Sequence, residues 1–392
     1  MRGVSFDKSS LPLLAILILA LALGTYLVIR LSTNSVDEAI KGDRILNIMI
    51  ILEEGGVPVA SELFFFYPTT GKGAVLDVPG ETGLILKTVN KVDRIDAVYS
   101  KGNPRAYLNE IAHMLDTEIP YWIVLDETGL RTTTDFLEGL EMFLPTAVDQ
   151  KGPPAVLLPS GAVVLDGDKV LQYAVWKPAD EDDAAASTRR QRLFQSILRR
   201  IGEKSDWLSR QEVFPSWRGS LRSNLGIEGL KRFIHELSGL DTDHLVLQRI
   251  NGTRRAVDGK VLLFPHYDGD LVRDIVKQTL NALASSSAAI ADKIYTLEVL
   301  NGTALKGLAN RTAEIFQSFG YNVVGVGNAD REDYASTRVL YRNNVATEAA
   351  NNVATVIQCK NILSDSGGVS KSDADFTIIL GSDFNGRYVI GH

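Results

Sequence analysis

Five arginines crowd one stretch of the chain, Arg189, Arg190, Arg192, Arg199 and Arg200, directly after the acidic run Asp180-Glu181-Asp182-Asp183. A guanidinium presents a fixed fork of donors that fits phosphate oxygens two at a time, so such a cluster suits a phosphorylated ligand. The plainer alternative is a solvated helix face, because acids at a helix start and arginines toward its end complement the helix dipole. Spacing alone leaves both readings open. Other chemistry is excluded more easily. One cysteine, Cys359, rules out an internal disulfide and a thiolate metal cluster. The five histidines, His113, His235, His244, His266 and His392, stand near no serine elbow or carboxylate pair, so a hydrolase triad finds no support. The glycines at 325, 327, 381 and 386 lack the helix that must follow a dinucleotide loop and read as turns. Asn251-Gly252-Thr253 and Asn301-Gly302-Thr303 read as strand-ending turns rather than glycosylation sites.

The arginines require a helix over 184–201, and the surrounding pattern predicts the elements that position it. A near-continuous apolar run over 45–52 reads as a buried strand. A second strand over 62–67 turns through Pro68 to Gly73 into a third over 74–78. Helical periodicity over 104–115 and 132–143 brackets a strand over 121–125, and this alternation argues for an α/β layered domain. A helical segment over 168–175 and further helix and strand patterns over 229–237, 245–250 and 270–283 complete it. The small-residue stretch from 284 to 293 reads as a linker. Beyond it, strands over 295–300, 321–325, 336–341 and 375–380 with helices over 305–319 and 346–357 predict a β-α-β-β-α-β module, an α+β domain over 294–392.

The 392 residues are 45% hydrophobic and 23% charged, which suits two or three packed cores and excludes wholesale disorder. The formal net charge of -7 gives no whole-chain footprint for nucleic acid. After a short tail over 1–10, residues 11–29 carry no charge and are bracketed by Lys8 and Arg30. That length nearly spans a bilayer and is too long for an ordinary signal peptide, so 11–30 is expected to be an uncleaved single-pass anchor followed by a polar stalk over 31–44. The flanking charges do not decide its orientation.

The C-terminal segments LEVLNGTALKGLANRTAEIFQSFGYNVVGVGNADREDYASTRVLYR and DFTIILGSDF resemble the LytR C-terminal domain over about 294–384. Upstream, residues 45–283 resemble a divergent LytR-CpsA-Psr domain. The matching pieces are VLDVPGET (75–82), IDAVYSKG (95–102), VLDGDKVLQY (164–173) and TRRQRLF (188–194). The resemblance implies an α/β/α layered domain with a mixed central sheet, in a bacterial envelope protein whose soluble part is extracytoplasmic. It implies transfer of a glycopolymer from a polyprenyl-pyrophosphate carrier to peptidoglycan, with magnesium on the pyrophosphate. Arg189, Arg190 and Gln191 match the family's arginine-glutamine helix, and Lys177, Asp77 and Glu81 fall at or beside positions of its phosphate and metal groups. Phe64, Phe65, Phe66, Phe136 and Phe143 are candidates for the apolar tunnel of a polyprenyl tail, or simply core.

The departures fall where the chemistry is. Gly80 and Glu81 stand where the family has an arginine and an aspartate, Ala174-Val175-Trp176-Lys177 where it has arginines, and Ala186 where it has another. No aspartate stands at 59–61, and Glu62 is the nearest acid. The expectation is a degenerate domain that binds wall precursors, glycan or other envelope proteins without cofactor. The competing expectation is a magnesium-dependent phosphotransferase with substitute cations such as Lys177, Arg94 or Arg105. At least two arginines and two carboxylates converging on one pocket mouth favour the enzyme; a mouth of Gly80, Val175 and Ala186 alone favours the binder. A third reading, a scaffold without small ligand, predicts a pocket filled by the phenylalanines.

Overall fold

The computed structural model describes residues 35–150, 155–176, 178, 181–284, 295–342, 345, 347–365 and 373–390. The expected membrane anchor over 11–30 and nearly all of the expected linker lie outside them. No helix of the described residues is long and apolar enough to cross a membrane.

The chain enters through α1 (Ser35–Lys41), which docks Val36 and Ala39 in the first core, so part of the expected stalk is a packed helix. Two apolar residues three apart suffice to seat one turn. Then come β1 (Leu46–Glu54), β2 (Val57–Tyr67) and β3 (Lys72–Asp77). The turn between β2 and β3 needs Gly71, at φ 69°, where a Cβ would lie 2.2 Å from the Gly239 carbonyl oxygen. A short hairpin, β4 (Gly83–Leu86) and β5 (Lys91–Arg94), precedes α2 (Arg105–Leu115), β6 (Tyr121–Asp126) and α3 (Glu127–Phe136). Next are the short strands β7 (Leu140–Leu144), β8 (Val148–Gln150), β9 (Val156–Leu158) and β10 (Gly161–Leu165), then α4 (Gly167–Val175). The arginine helix is α5 (Asp183–Glu203), followed by α6 (Ser205–Leu208), α7 (Phe214–Gly219), β11 (Arg222–Ser223), α8 (Ile227–Leu237) and β12 (Val246–Arg249). A hairpin of β13 (Gly252–Val257) and β14 (Lys260–Pro265) leads to α9 (Asp270–Ala284).

The central sheet has the order β11-β6-β1-β2-β3-β12 and is mixed: β1 runs parallel to β6 and β3 to β12, while β2 is antiparallel to both neighbours. Both faces are covered, which is why β1 and β2 are apolar almost throughout. Along β2, Phe64 and Phe66 face the core shared with Phe194 of α5, and Leu63, Phe65 and Tyr67 face the core shared with Tyr107 and Ile111 of α2. The domain is thus an α/β/α sandwich with α5 on one face and α2 and α9 on the other.

The C-terminal domain comprises β15 (Thr296–Asn301), α10 (Leu308–Ser318), β16 (Asn322–Asn328), β17 (Arg338–Tyr341), α11 (Thr347–Val356), β18 (Ile362–Ser364) and β19 (Phe376–Leu380). Its sheet order is β16-β15-β19-β17-β18. The expected element order is present with one addition, β18, a three-residue edge strand too short and too exposed to leave a period in the sequence. The Asn301-Gly302-Thr303 turn is closed by the Asn301 side chain, whose Oδ1 accepts from Thr303 N at 3.1 Å and Oγ1 at 2.8 Å.

Candidate functional site

A cleft of about 260 Å³ opens where the ends of β2, β3 and β12 meet the start of α5. Helix α5 is aimed at it by Asp182, which caps the first turn by accepting from Ala185 N at 2.7 Å. Ser187, Arg190, Gln191 and Phe194 recur at helical spacing on the face that meets the sheet. Arg190 forks onto Asp77 at the end of β3, with Nε to Oδ1 at 2.9 Å and Nη2 to Oδ2 at 2.6 Å. Asp77 is fully buried. Burial alone would ease the proton off Arg190, but the Asp77 charge outweighs it and holds the guanidinium cationic.

The register of the sheet lines up a row of ionisable groups beneath this pair. Glu62 on β2 lies opposite Asp77, and Asp77 lies beside Arg249 on β12. Glu62 is 2% exposed, and neither carboxyl oxygen has a hydrogen-bond partner among the described residues. A buried carboxyl that no donor reaches is favoured in its neutral form. Burial first, and the Asp77 charge second, push its pKa well above the usual carboxyl range despite the opposing pull of Arg190.

Arg189 forks onto Glu181, Nε to Oε1 at 2.7 Å and Nη2 to Oε2 at 3.0 Å, and its guanidinium lies over the rings of Tyr173 and Trp176. Three further arginines complete the lining. Arg94 bonds Asp96, whose carboxylate fills the space beside Gly80: a Cβ there would sit 2.5 Å from Oδ2. Arg254 reaches in from β13 to Asp183 at 2.5 Å and Glu81 at 2.9 Å, and these two acids keep it charged. The hairpin is held there by Leu263 N donating to Glu81 O at 2.9 Å. Arg249 bonds no acid among the described residues: Nε donates to Asn251 Oδ1 at 2.9 Å and Nη2 to Gln317 Oε1 at 3.3 Å. Desolvation lowers its pKa.

The sequence candidates therefore divide. Asp77, Glu81, Arg189 and Arg190 meet in the cleft, together with Gly80, Val175 and Ala186. Gln191 is a structural tie, donating to the Gln248 carbonyl of β12 at 2.5 Å. Lys177 lies outside the described residues. Arg192 is exposed, Arg199 pairs with Asp243 and Arg200 with Glu203, the ordinary solvated face. Arg105 opens α2 and is not in the lining. No phenylalanine lines the cleft among the described residues. Phe65 sits in the core on the opposite face of the sheet, Phe64 and Phe66 stack on each other, Phe136 packs partly buried against the same core as they do, and Phe143 is 66% exposed. The cleft is not filled by phenylalanines. Sequence reading missed Arg249 and Arg254, which belong to no motif; the only signal was arginine within otherwise strand-like segments.

The carboxylates do not suit a magnesium ion. Both Asp77 oxygens are taken by Arg190, and Glu81, Glu181 and Asp183 are engaged by arginines. No group of three or more His, Cys, Asp or Glu side chains that could hold a metal occurs among the described residues.

A layered α/β domain, whose cleft is lined by arginines and acids, is thus joined to a small α+β domain. The chain belongs to the LytR_cpsA_psr family, whose sequence profile matches residues 74–278; that of the LytR cell envelope-related transcriptional attenuator domain matches 295–384. It is similar to the polyisoprenyl-teichoic acid–peptidoglycan teichoic acid transferase TagV of Bacillus subtilis, with 21% identity covering 40% of this chain and 42% of the relative. The TagU transferase of Bacillus licheniformis is 19% identical, over 42% and 53% respectively. The chain thus spans about half the length, or less, of the curated relatives it matches. The crystal structure of B. subtilis TagV superposes with a TM-score of 0.54 at 17% identity, covering 61% of this chain and 98% of that one, which establishes the fold.

Proposed function

We propose that this chain is a membrane-anchored, single-pass envelope protein with an extracytoplasmic soluble part, whose cleft binds the pyrophosphate group of a polyprenyl-linked glycopolymer during cell-wall assembly. The observation that carries this reading is the convergence of Arg94, Arg189, Arg190, Arg249 and Arg254 from separate parts of the chain onto one cleft. Guanidinium groups held in place by acids keep their geometry while empty and can trade a carboxylate for a phosphate of the same shape. Peptidoglycan and other envelope proteins are the further partners this role entails. Nucleic acid is not among them.

Binding is the primary reading because the arginine convergence accounts for it without a metal, while Asp77, Glu81, Glu181 and Asp183 in the same lining supply the carboxylates expected at the mouth of an enzyme and support transfer as the second reading. A second reading, glycopolymer phosphotransfer, is favoured by the same convergence: arginines that stabilise a bound pyrophosphate also stabilise charge on a departing phosphate oxygen. The deciding experiment is calorimetric titration of the full chain in detergent micelles with a polyprenyl pyrophosphate. The parent chain is expected to bind, and Arg254→Ala, a half-exposed site whose loss spares the core, to bind about tenfold more weakly. A parent chain that takes up no ligand overturns the proposal. Transfer of a labelled glycopolymer to peptidoglycan by the same preparation would promote the second reading over the first.

A further inference from the structure

Four of the five cleft arginines are ion-paired: Arg94 with Asp96, Arg189 with Glu181, Arg190 with Asp77 and Arg254 with Asp183 and Glu81. Arg249 forms no ion pair among the described residues and is held by two neutral amide oxygens. An amide oxygen fixes a guanidinium without cancelling its charge, so Arg249 is the cation in the cleft that an incoming anion meets without first displacing an acid.

One of those amides belongs to the other domain. Gln317 sits in the last turn of α10, and its Oε1 is 3.3 Å from Arg249 Nη2. The other amide, Asn251, is itself anchored on that turn: Nδ2 donates to Glu314 O at 3.0 Å and to Ser318 Oγ at 2.6 Å. The helix then stops at Gly320, at φ 87°, where a Cβ would lie 3.1 Å from Val246 and 3.2 Å from the Leu247 carbonyl oxygen of β12. The end of α10 therefore abuts the strand that carries Arg249 and fixes both of its hydrogen-bond partners.

We infer that the C-terminal domain completes the anion site, with Gln317 acting as a positioning residue that holds Arg249 in place and charged for a pyrophosphate group. The inference rests on the cleft reading above and adds the domain that tunes it. Gln317 does not line the cleft, so changing it leaves the other four arginines and their acids as they are.

The test is titration of the full chain with inorganic pyrophosphate. Gln317→Glu places a carboxylate against Arg249 and should weaken binding about tenfold, while Gln317→Ala, which only loosens Arg249, should weaken it two- to threefold. Asn310→Glu adds the same charge at an exposed position on α10 and should leave affinity unchanged. In an Arg249→Gln background, Gln317→Glu should have no further effect, a non-additivity that a general loss of structure would not produce. Equal weakening by Asn310→Glu, or additive losses in the double variant, overturns the inference. Parent binding that Gln317→Glu leaves intact overturns it alone, whereas a parent chain that binds no pyrophosphate overturns the cleft reading and this inference together.

Discussion

In the cleft, Arg190 meets Asp77 from a helix more than a hundred positions away, and Arg254 meets Glu81 across 173 positions. In the C-terminal sheet, Asn301 bonds Thr303 two residues on, and Thr337 is held by Asp383 at the neighbouring strand end. The first arrangement gathers opposite charges with good forked geometry around an open space; the second closes a turn and ties two strand ends with short neutral or singly charged contacts. Distant charge pairs around a cavity are suited to exchanging partners with a ligand, while turn contacts serve only to fix the chain. A forked pair that faces an open cleft is therefore the place where an ion can be exchanged, whereas a part-buried pair away from that cleft, such as Arg387 with Asp274, is a structural tie.

This contrast can be broken by removing one member of each kind. Asp77→Ala strands Arg190 in a largely buried position and should cost about 3 kcal/mol, read as a fall in the urea midpoint. Replacing Glu62 sharpens the comparison through pH. Its folded pKa is raised, so the folded state keeps a proton that the unfolded chain gives up above about pH 4.5. Stability of the parent chain from this group is full at acid pH and is lost as pH rises from there toward the folded value. Glu62→Gln should be free of that loss, so the variant becomes the more stable of the two by at most about 1.4 kcal/mol for each pH unit climbed through the window. Equal pH slopes in thermal melts would show that Glu62 is ionised. In the C-terminal domain, Thr337→Val deprives the Gly381 amide of its acceptor at 2.9 Å and should cost about 1–2 kcal/mol, with no change in pyrophosphate affinity. The smallest effect belongs to Arg199→Ala, which breaks an exposed pair with Asp243 and should stay within about 0.5 kcal/mol.

Much of the scaffold was legible because burial on both sheet faces leaves a run such as Ile48 to Leu52 apolar, and helical faces repeat at 3.6 residues. The short strands near Leu140, Val156 and Gly161 were not, since three to five residues carry no period of their own. Within the cleft, Arg189, Arg190, Asp77 and Glu81 could be picked out by chemistry and by family resemblance. Their neighbours could not, because the placement of Arg249 beside Asp77 is a consequence of parallel register between β3 and β12, which no local pattern records. Gly80 shows the limit in another way: the missing family arginine reads as a loss, yet Asp96 and Arg94 occupy the neighbourhood it vacates.

Helix α9 presents Val272, Val276 and Leu283 to the first domain's core and Leu271 and Ile275 to the second's. Asp274 on the same helix takes Arg387 at 2.7 Å and the Tyr388 hydroxyl from the end of the chain. A wall common to two rooms cannot be pulled down on one side only. Loss of the C-terminal sheet would wet Leu271 and Ile275 and leave a buried-type helix half solvated, so the two domains are coupled into one folding unit. A clean excision of either for laboratory work would have to redesign that helix first.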